Sequence, residues 1–213
     1  MRLPVTDLYA VLSSAHSAGR GNVRTAELLL QAGVRIIQYR EKEFPFDRQL
    51  AECAEIARLS GLHNACFIVN DSLELALAAG AGGLHLGQSD LPPAVARVRL
   101  GRDKIIGYSV TCPAEVDRAL AMSDIDYLGV GPVYATATKR DATRPGGLEL
   151  IDYALRLSPV PVVAIGGIGR HNAAELARRG VPTLAMVTEL VGAPDIAERV
   201  RELRAVMWGD SPA

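Results

Sequence analysis

The chain has 213 residues, enough to bury the core of one α/β domain, and its composition of 49% hydrophobic and 22% charged residues indicates a folded globular protein. Its formal net charge of −1, with acidic and basic residues interspersed, argues against nucleic acid or an anionic membrane surface as a partner. Cys53, Cys66 and Cys112 are odd in number and widely separated, which predicts reduced structural thiols rather than disulfides or a zinc site. Because the sequence has neither a membrane-length apolar run nor a signal-peptide pattern, we expect a cytoplasmic protein.

Short apolar, β-branched runs alternate with helical patterns along the chain, and glycine, proline, asparagine and aspartate separate them. The predicted strands are Leu8–Ser13, Val34–Tyr39, Cys66–Val69, Gly83–Leu86, Lys104–Ser109, Tyr127–Val130, Val160–Ile165 and Thr183–Val187. The predicted helices are Val23–Ala32, Asp47–Ser60, Leu73–Ala79, Pro92–Arg99, Ala114–Met122, Leu148–Leu157, Asn172–Arg179 and Ile196–Met207.

This alternation predicts parallel strands joined by right-handed crossovers. An open doubly wound sheet and a closed (β/α)₈ barrel both fit the order of elements. Eight strand–helix units fill the chain, and the segment from Ser13 to Gly21 lacks the spacing of a dinucleotide-binding loop, so closure is favoured. We therefore predict an α/β fold in which residues 1–213 form a single (β/α)₈ TIM-barrel domain, with its active site at the C-terminal ends of the strands.

The second predicted strand ends in a run of alternating polar residues. Since residues two apart share a face of a strand, Gln38, Arg40 and Lys42 point together while Tyr39 and Glu41 point away. Two cations and an amide on one face predict an anionic ligand, although a solvated strand end leading into a loop has the same composition.

Two carboxylates follow neighbouring strands, Asp71 after the third and Asp90 after the fourth. One or two carboxylates, completed by water and substrate phosphates, are typical of Mg²⁺ sites. Each aspartate also stands where it can cap the helix that follows. Their pairing beside Arg40 and Lys42 favours the metal site.

Three later βα connections carry phosphate-binding candidates. The connection at 131–147 is longer than a scaffold needs and includes Thr136, Thr138 and Lys139, whose hydroxyls and ammonium suit phosphate oxygens; a solvated loop tip is the competing interpretation. The glycine-rich turn containing Gly167 follows the seventh strand, where this barrel usually binds phosphate, although a tight turn without a ligand has the same sequence. Thr188 and backbone amides after the eighth strand complete that site.

Other polar residues are interpreted as structural. A lone strand histidine such as His85 is more often packed or solvated than catalytic. The serines lack a nucleophile-elbow sequence and a His/Asp escort, which disfavours acyl-enzyme chemistry.

In order, these motifs closely resemble those of the thiamine-phosphate synthase family over about residues 8–205. The motifs that carry the resemblance are Gln38-Tyr39-Arg40-Glu41-Lys42, Asn70-Asp71, His85-Leu86-Gly87-Gln88-Ser89-Asp90, Gly129-Val130-Gly131-Pro132, Thr136-Ala137-Thr138-Lys139 and Gly166-Gly167-Ile168.

The resemblance implies an Mg²⁺-dependent transferase that couples 4-amino-2-methyl-5-hydroxymethylpyrimidine diphosphate with 4-methyl-5-hydroxyethylthiazole phosphate through a pyrimidine carbocation. It implies that the pyrimidine diphosphate is held by Gln38, Arg40, Lys42, Asn70, Ser109 and Lys139. Of these, Arg40, Lys42, Ser109 and Lys139 are the implied catalytic residues. Asp71 and Asp90 would bind Mg²⁺. The implied thiazole-phosphate residues are Thr136, Thr138, Gly167, Val187 and Thr188. The sequence leaves the oligomeric state open and is compatible with a homo-oligomer.

The chain departs from the family pattern at two places, Ser13-Ser14 after the first strand and Thr188-Glu189-Leu190 after the eighth. Because a carboxylate aimed at the thiazole phosphate would oppose binding, we expect Glu189 to point away. A thiazole tautomerase, a non-catalytic barrel that senses a thiamine precursor, and a sugar-phosphate epimerase remain as alternatives. A tautomerase would carry a histidine just after the fifth strand, and this chain has none there. The retained Asp71, Asp90 and Lys139 argue against a sensing barrel. An epimerase would need an acid/base pair that the sequence does not offer.

Overall fold

A computed structural model describes residues 3–136 and 145–209 and contains a closed barrel of parallel strands. Every strand pairs with its neighbours in sequence, and β8 pairs with β1 to close the sheet. The predicted (β/α)₈ barrel is therefore confirmed. The strands are β1 (Leu8–Leu12), β2 (Ile36–Tyr39), β3 (Cys66–Asn70), β4 (Gly83–Leu86), β5 (Ile105–Val110), β6 (Tyr127–Val130), β7 (Val162–Ile165) and β8 (Thr183–Met186).

Helices follow the strands and form the outer layer. They are α1 (Asn22–Gln31), α2 (Phe46–Leu62), α3 (Leu73–Ala78), α4 (Pro93–Leu100), α5 (Pro113–Leu120), α6 (Gly147–Leu157), α7 (Ala173–Arg178), α8 (Thr188–Val191) and α9 (Ile196–Trp208), with a 3₁₀ turn at Ser14–His16. The predicted helices agree with this set within a few residues, but α8 was not predicted, because four residues are too few to show a helical period. None of the described helices has the length and apolarity needed to span a bilayer.

The strands are apolar on both faces because each lies between the barrel interior and the helices. In β1, Tyr9 and Val11 join the interior cluster, whereas Leu8, Ala10 and Leu12 pack in the larger cluster beneath the helices. Full burial of a large aliphatic or aromatic side chain stabilises a fold by about 1.5–3 kcal/mol. The continuous apolar runs in the sequence therefore reflect two buried faces, and a polar residue at an inward position stands out.

An ion pair links the start of β1 to the last helix. Arg204 Nε lies 2.7 Å from Asp7 Oδ2, and Asp7 Oδ1 accepts a hydrogen bond of 2.8 Å from the amide of Leu8. Burial raises the pKa of Asp7, but the hydrogen bond and charge of Arg204, together with backbone hydrogen bonds, lower the pKa below its ordinary value. Asp7 thus stabilises the junction of sheet and helix as a carboxylate.

Candidate active site

The residues at the end of β2 and just after it divide between two faces, as their alternation predicts. Gln38 is 5% exposed and its Nε2 donates to the Tyr9 hydroxyl at 2.7 Å inside the barrel. Tyr39 faces the helices and donates to Glu52 at 3.0 Å. Glu41 also turns outward, where its Oε1 accepts a hydrogen bond of 3.0 Å from Asn22.

The third and fourth strands bring two carboxylates together at the mouth of the barrel. Burial, the hydrogen bond with Asp90 and the negative charge of Asp90 raise the pKa of Asp71 to about 6, while the charges of Lys42 and Arg40 offset part of this rise. Lys42 Nζ lies 3.9 Å from Asp71 Oδ2. The pair is thus a partly buried concentration of negative charge beside two cations, an arrangement that favours a bound cation.

Neither aspartate caps a helix. Ser72 is the N-cap of α3, and its hydroxyl accepts from the amide of Leu75 at 3.2 Å. Asp71 instead has a positive φ of 62°, and its amide extends the ladder by donating to the His85 carbonyl at 2.9 Å. Asp90 Oδ2 accepts from the amide of Gly87 at 2.6 Å, and α4 has no side-chain cap. The capping interpretation is therefore wrong for both residues.

A series of hydrogen bonds runs beneath this mouth. The hydroxyls of Tyr9 and Tyr127 are 2.9 Å apart, Tyr127 lies 2.7 Å from His85 Nδ1, and His85 Nε2 lies 2.8 Å from Ser109 Oγ. With the Gln38–Tyr9 bond, these contacts connect β2 to β5 through the barrel interior. We define the five side chains Gln38, Tyr9, Tyr127, His85 and Ser109 as the interior relay.

Sequence reasoning missed His85, which was interpreted as an isolated structural histidine. The alternation of side chains along β4 could have shown its position. Leu84 and Leu86 pack beneath the helices, so His85 between them faces the interior. On β5, Ile105 is interior and Ile106 lies beneath the helices, so Ser109 shares the inward face.

The glycine-rich turn after β7 packs tightly against the connection after β6. Gly166 and Gly167 have φ values of 101° and 65°, and a Cβ on Gly167 would lie 2.7 Å from the Ala135 carbonyl oxygen. Asn172 holds this turn by accepting from the Gly169 amide at 2.8 Å and donating to the Gly167 carbonyl at 2.9 Å. The positive φ values and the close packing account for glycine at these two positions without a ligand. Phosphate binding at this turn is therefore a separate proposal.

The remaining predicted phosphate residues lie after β6 and β8. Thr136 is the last described residue before the gap, and Thr138 and Lys139 lie outside the described residues. Val187 packs against the interior cluster, and Thr188 begins α8.

Glu189, on α8, is turned toward the last helix. Its carboxylate accepts a hydrogen bond of 2.8 Å from Arg199 and lies 3.3 Å from Arg170. It lines a surface cleft of about 510 Å³ together with Glu202 and Val206 of α9. Its negative charge is therefore balanced by two arginines.

The fold and the site define a (β/α)₈-barrel protein whose cations and carboxylates gather at the C-terminal ends of its strands. The family model described as thiamine monophosphate synthase matches residues 8–190. A thiamine-phosphate synthase from Pelotomaculum thermopropionicum is 44% identical over 201 residues, covering 94% of this chain and 92% of the relative. One from Lawsonia intracellularis is 43% identical over 198 residues, covering 93% of this chain and 91% of the relative.

Comparison with a solved structure supports the same family assignment. The thiamine phosphate pyrophosphorylase from Pyrococcus furiosus superposes with a TM-score of 0.85 at 33% identity, covering 94% of this chain and 95% of that one. The chain belongs to the thiamine monophosphate synthase family.

Proposed function

We propose that this chain joins 4-amino-2-methyl-5-hydroxymethylpyrimidine diphosphate to 4-methyl-5-hydroxyethylthiazole phosphate, forming thiamine phosphate and releasing diphosphate. The observation that carries the proposal is the pair of carboxylates, Asp71 and Asp90, at the barrel mouth beside Lys42 and Arg40. A site with both signs of charge at a barrel mouth suits a metal–diphosphate ligand better than a free anion. We also predict that the protein is cytoplasmic and that its substrates are small molecules.

Mg²⁺ fits the donor set of this site. Asp71 and Asp90 supply hard oxygen donors, and within residues 3–136 and 145–209 no group of three or more histidine, cysteine, aspartate and glutamate side chains offers a fuller cage. Two carboxylates leave coordination positions for water and diphosphate oxygens, as Mg²⁺ sites commonly require. Bound there, Mg²⁺ would neutralise part of the diphosphate charge and make it a better leaving group.

The protein's own cations complete the binding of the diphosphate. Arg40 and Lys42 follow the end of β2, and we assign Lys139, which lies outside the described residues, to the same diphosphate site. Asn70 is the last residue of β3 and directly precedes Asp71. As the methylene C–O bond breaks, its electron pair leaves with the diphosphate, and these positive charges stabilise the oxygen that receives it.

The pyrimidine lies over the barrel mouth, between Gln38 and Ser109. Loss of diphosphate leaves a carbocation that the electron-rich aminopyrimidine stabilises, and the thiazole nitrogen donates its lone pair to form the new C–N bond. No protein nucleophile is needed, so the task of the site is to orient both substrates and limit access of water.

The thiazole phosphate is held at the ends of the last three strands. Thr136, Thr138 and Thr188 offer hydroxyl donors, while Gly167 and Val187 offer backbone amides. The carboxylate of Glu189 lies beside the glycine-rich turn, where its Oε2 would be 3.0 Å from a Cβ on Gly169. Its pairing with Arg199 and Arg170 balances the negative charge there.

The test is to incubate purified protein with both substrates, with and without Mg²⁺, and to measure thiamine phosphate by chromatography. Product that depends on both substrates and on Mg²⁺ would support the proposal. A folded protein that binds the thiazole phosphate but forms no product would contradict it and favour a sensing barrel. Isomerisation of a thiazole phosphate alone would favour the tautomerase.

A further inference from the structure

The interior relay is built into the barrel. A Cβ on Gly107 would lie 2.1–2.3 Å from atoms of the Tyr127 ring, and a Cβ on Gly129 would lie 2.9 Å from His85 Cε1. Both glycines are inward positions of neighbouring strands, and Gly107 pairs with Tyr127 in the β5–β6 register. Side chains are thus absent at two positions where the relay needs space.

Each of the three internal members of the relay, Tyr9, Tyr127 and a neutral His85, has one proton to donate. Tyr9 and Tyr127 are both fully buried, and burial raises the pKa of each far above its ordinary value, so both hydroxyls keep their protons. A hydroxyl donates one hydrogen bond, and a neutral imidazole donates through one nitrogen and accepts through the other. Because Tyr9 and Tyr127 are buried, each must donate its proton to a neighbour in the relay, so a member that accepts on one side donates on the other.

With His85 as the neutral imidazole, two hydrogen-bond directions use the proton of every internal member. In the forward direction, Gln38 donates to Tyr9, Tyr9 to Tyr127, and Tyr127 to His85 Nδ1. His85 Nε2–H then donates to Ser109, which is left with its own O–H for a ligand. In the reverse direction every donor becomes an acceptor, Gln38 must turn its Oε1 to Tyr9, and Ser109 is left with only lone pairs.

An anionic ligand selects the forward direction. A diphosphate oxygen carries no proton, so Ser109 must donate to it, and this requirement passes along the relay to Gln38. In the structure, the Gln38 Nε2 lies 2.7 Å from the Tyr9 hydroxyl, which is the forward arrangement. Because Nε2 makes the bond to Tyr9, the amide oxygen Oε1 is the atom of Gln38 that can accept from a ligand.

We propose that the interior relay couples the two ends of the pyrimidine substrate, so that a diphosphate at Ser109 sets Gln38 to accept from an exocyclic amine and rejects an exocyclic carbonyl. Gln38 would accept from the 4-amino group and donate to the adjacent ring nitrogen, the bidentate pairing that glutamine makes with adenine. A 4-oxopyrimidine needs the opposite amide orientation. The inference rests on the proposed function and assigns Tyr9, Tyr127 and His85 as positioning residues that determine specificity.

The test uses Tyr127→Phe, which removes the central hydroxyl and keeps the ring that Gly107 accommodates. The matched control is Tyr39→Phe, which removes another buried hydroxyl, one that bonds to Glu52 outside the interior. Titration calorimetry in Mg²⁺ measures the dissociation constants of the 4-aminopyrimidine diphosphate and of its 4-oxo counterpart. Near-ultraviolet circular dichroism checks the fold of each variant, and Tyr9→Phe replaces Tyr127→Phe if the latter does not fold.

We expect the wild-type preference for the amino compound, expressed as the ratio of the two dissociation constants, to fall about tenfold in Tyr127→Phe. We expect it to stay within about twofold of wild type in Tyr39→Phe. Equal weakening of both ligands in a folded relay variant, with an unchanged ratio, would overturn the coupling. Because binding is measured without the thiazole, a wild-type protein that shows this selectivity but makes no thiamine phosphate would support the relay and contradict only the proposed function.

Discussion

Lys42 Nζ lies 3.9 Å from Asp71 Oδ2, so a cation that follows β2 reaches the carboxylate that follows β3 at the mouth of the barrel. Both side chains are partly exposed, at 54% and 38%, which limits the strength of the pair as a stabilising contact. Because the Lys42–Asp71 pair lies beside a second carboxylate, Asp90, it is better suited to binding a charged ligand than to stabilising the fold.

Asp71→Asn should lower activity while raising stability. The amide removes repulsion with Asp90 and the cost of burying a charge, both of which raise the pKa of Asp71 in the folded protein. We expect a fall of about 100-fold in kcat/KM at subsaturating Mg²⁺ and a higher Tm in chelator-treated protein. Asp103→Asn, on an exposed turn, is the control. Unchanged Mg²⁺ dependence would contradict the ligand assignment.

Lys42→Gln should weaken diphosphate binding. The substitution keeps much of the side-chain length and removes a charge from the mouth of the barrel, so we expect the KM for the pyrimidine diphosphate to rise about tenfold. The KM for the thiazole phosphate should change little. Arg24→Gln removes an equally exposed cation that pairs with Glu27 and serves as the control. Equal kinetics for the two variants would remove Lys42 from the site.

Gly107→Ala should destabilise the fold. The added Cβ would lie 2.1 Å from Tyr127 Cζ in a strand that cannot move independently of its neighbours. We expect a loss of about 1–3 kcal/mol in the free energy of unfolding, measured by urea denaturation. Gly61→Ala is the control, since its Cβ would meet no atom within 4 Å and alanine favours the helix. A folded Gly107→Ala of wild-type stability would contradict the packing described for Tyr127.

The Asp7–Arg204 pair should make stability depend on acid pH. Because the folded pKa of Asp7 lies below the unfolded value, its stabilisation is fully present above the unfolded pKa and is lost as the pH falls through the folded pKa. Asp7→Asn should therefore be less stable than wild type at neutral pH, by about 1 kcal/mol for a partly exposed pair. Urea denaturation should give converging stabilities for the two proteins as the pH falls below about 4. A constant difference across this range would show that Asp7 acts through something other than its charge.

The sequence predicts the barrel well because its signals are local. Eight apolar runs at regular spacing define the strands, and parity alone separates Gln38 from Tyr39. The proximity of Asp71 and Asp90 was also predictable, since consecutive parallel strands end at the same face of a barrel. Four-residue α8 was missed because one turn leaves no periodic signal.

The interior relay was not predictable from local pattern. His85 and Tyr127 are 42 residues apart and meet across an intervening strand, where Gly107 leaves the space that the Tyr127 ring fills. Whether Asp71 caps α3 was equally undetermined, because it depends on the positive φ of Asp71 and on the neighbouring hydroxyl of Ser72.

The most direct test of the proposed activity is a time course of thiamine phosphate and diphosphate with wild-type protein, both substrates and Mg²⁺. We expect the two products to form in equal amounts, at a rate that falls to background without Mg²⁺ or either substrate. Diphosphate release without thiamine phosphate, or no product from folded protein that binds both substrates, would contradict the proposed coupling reaction.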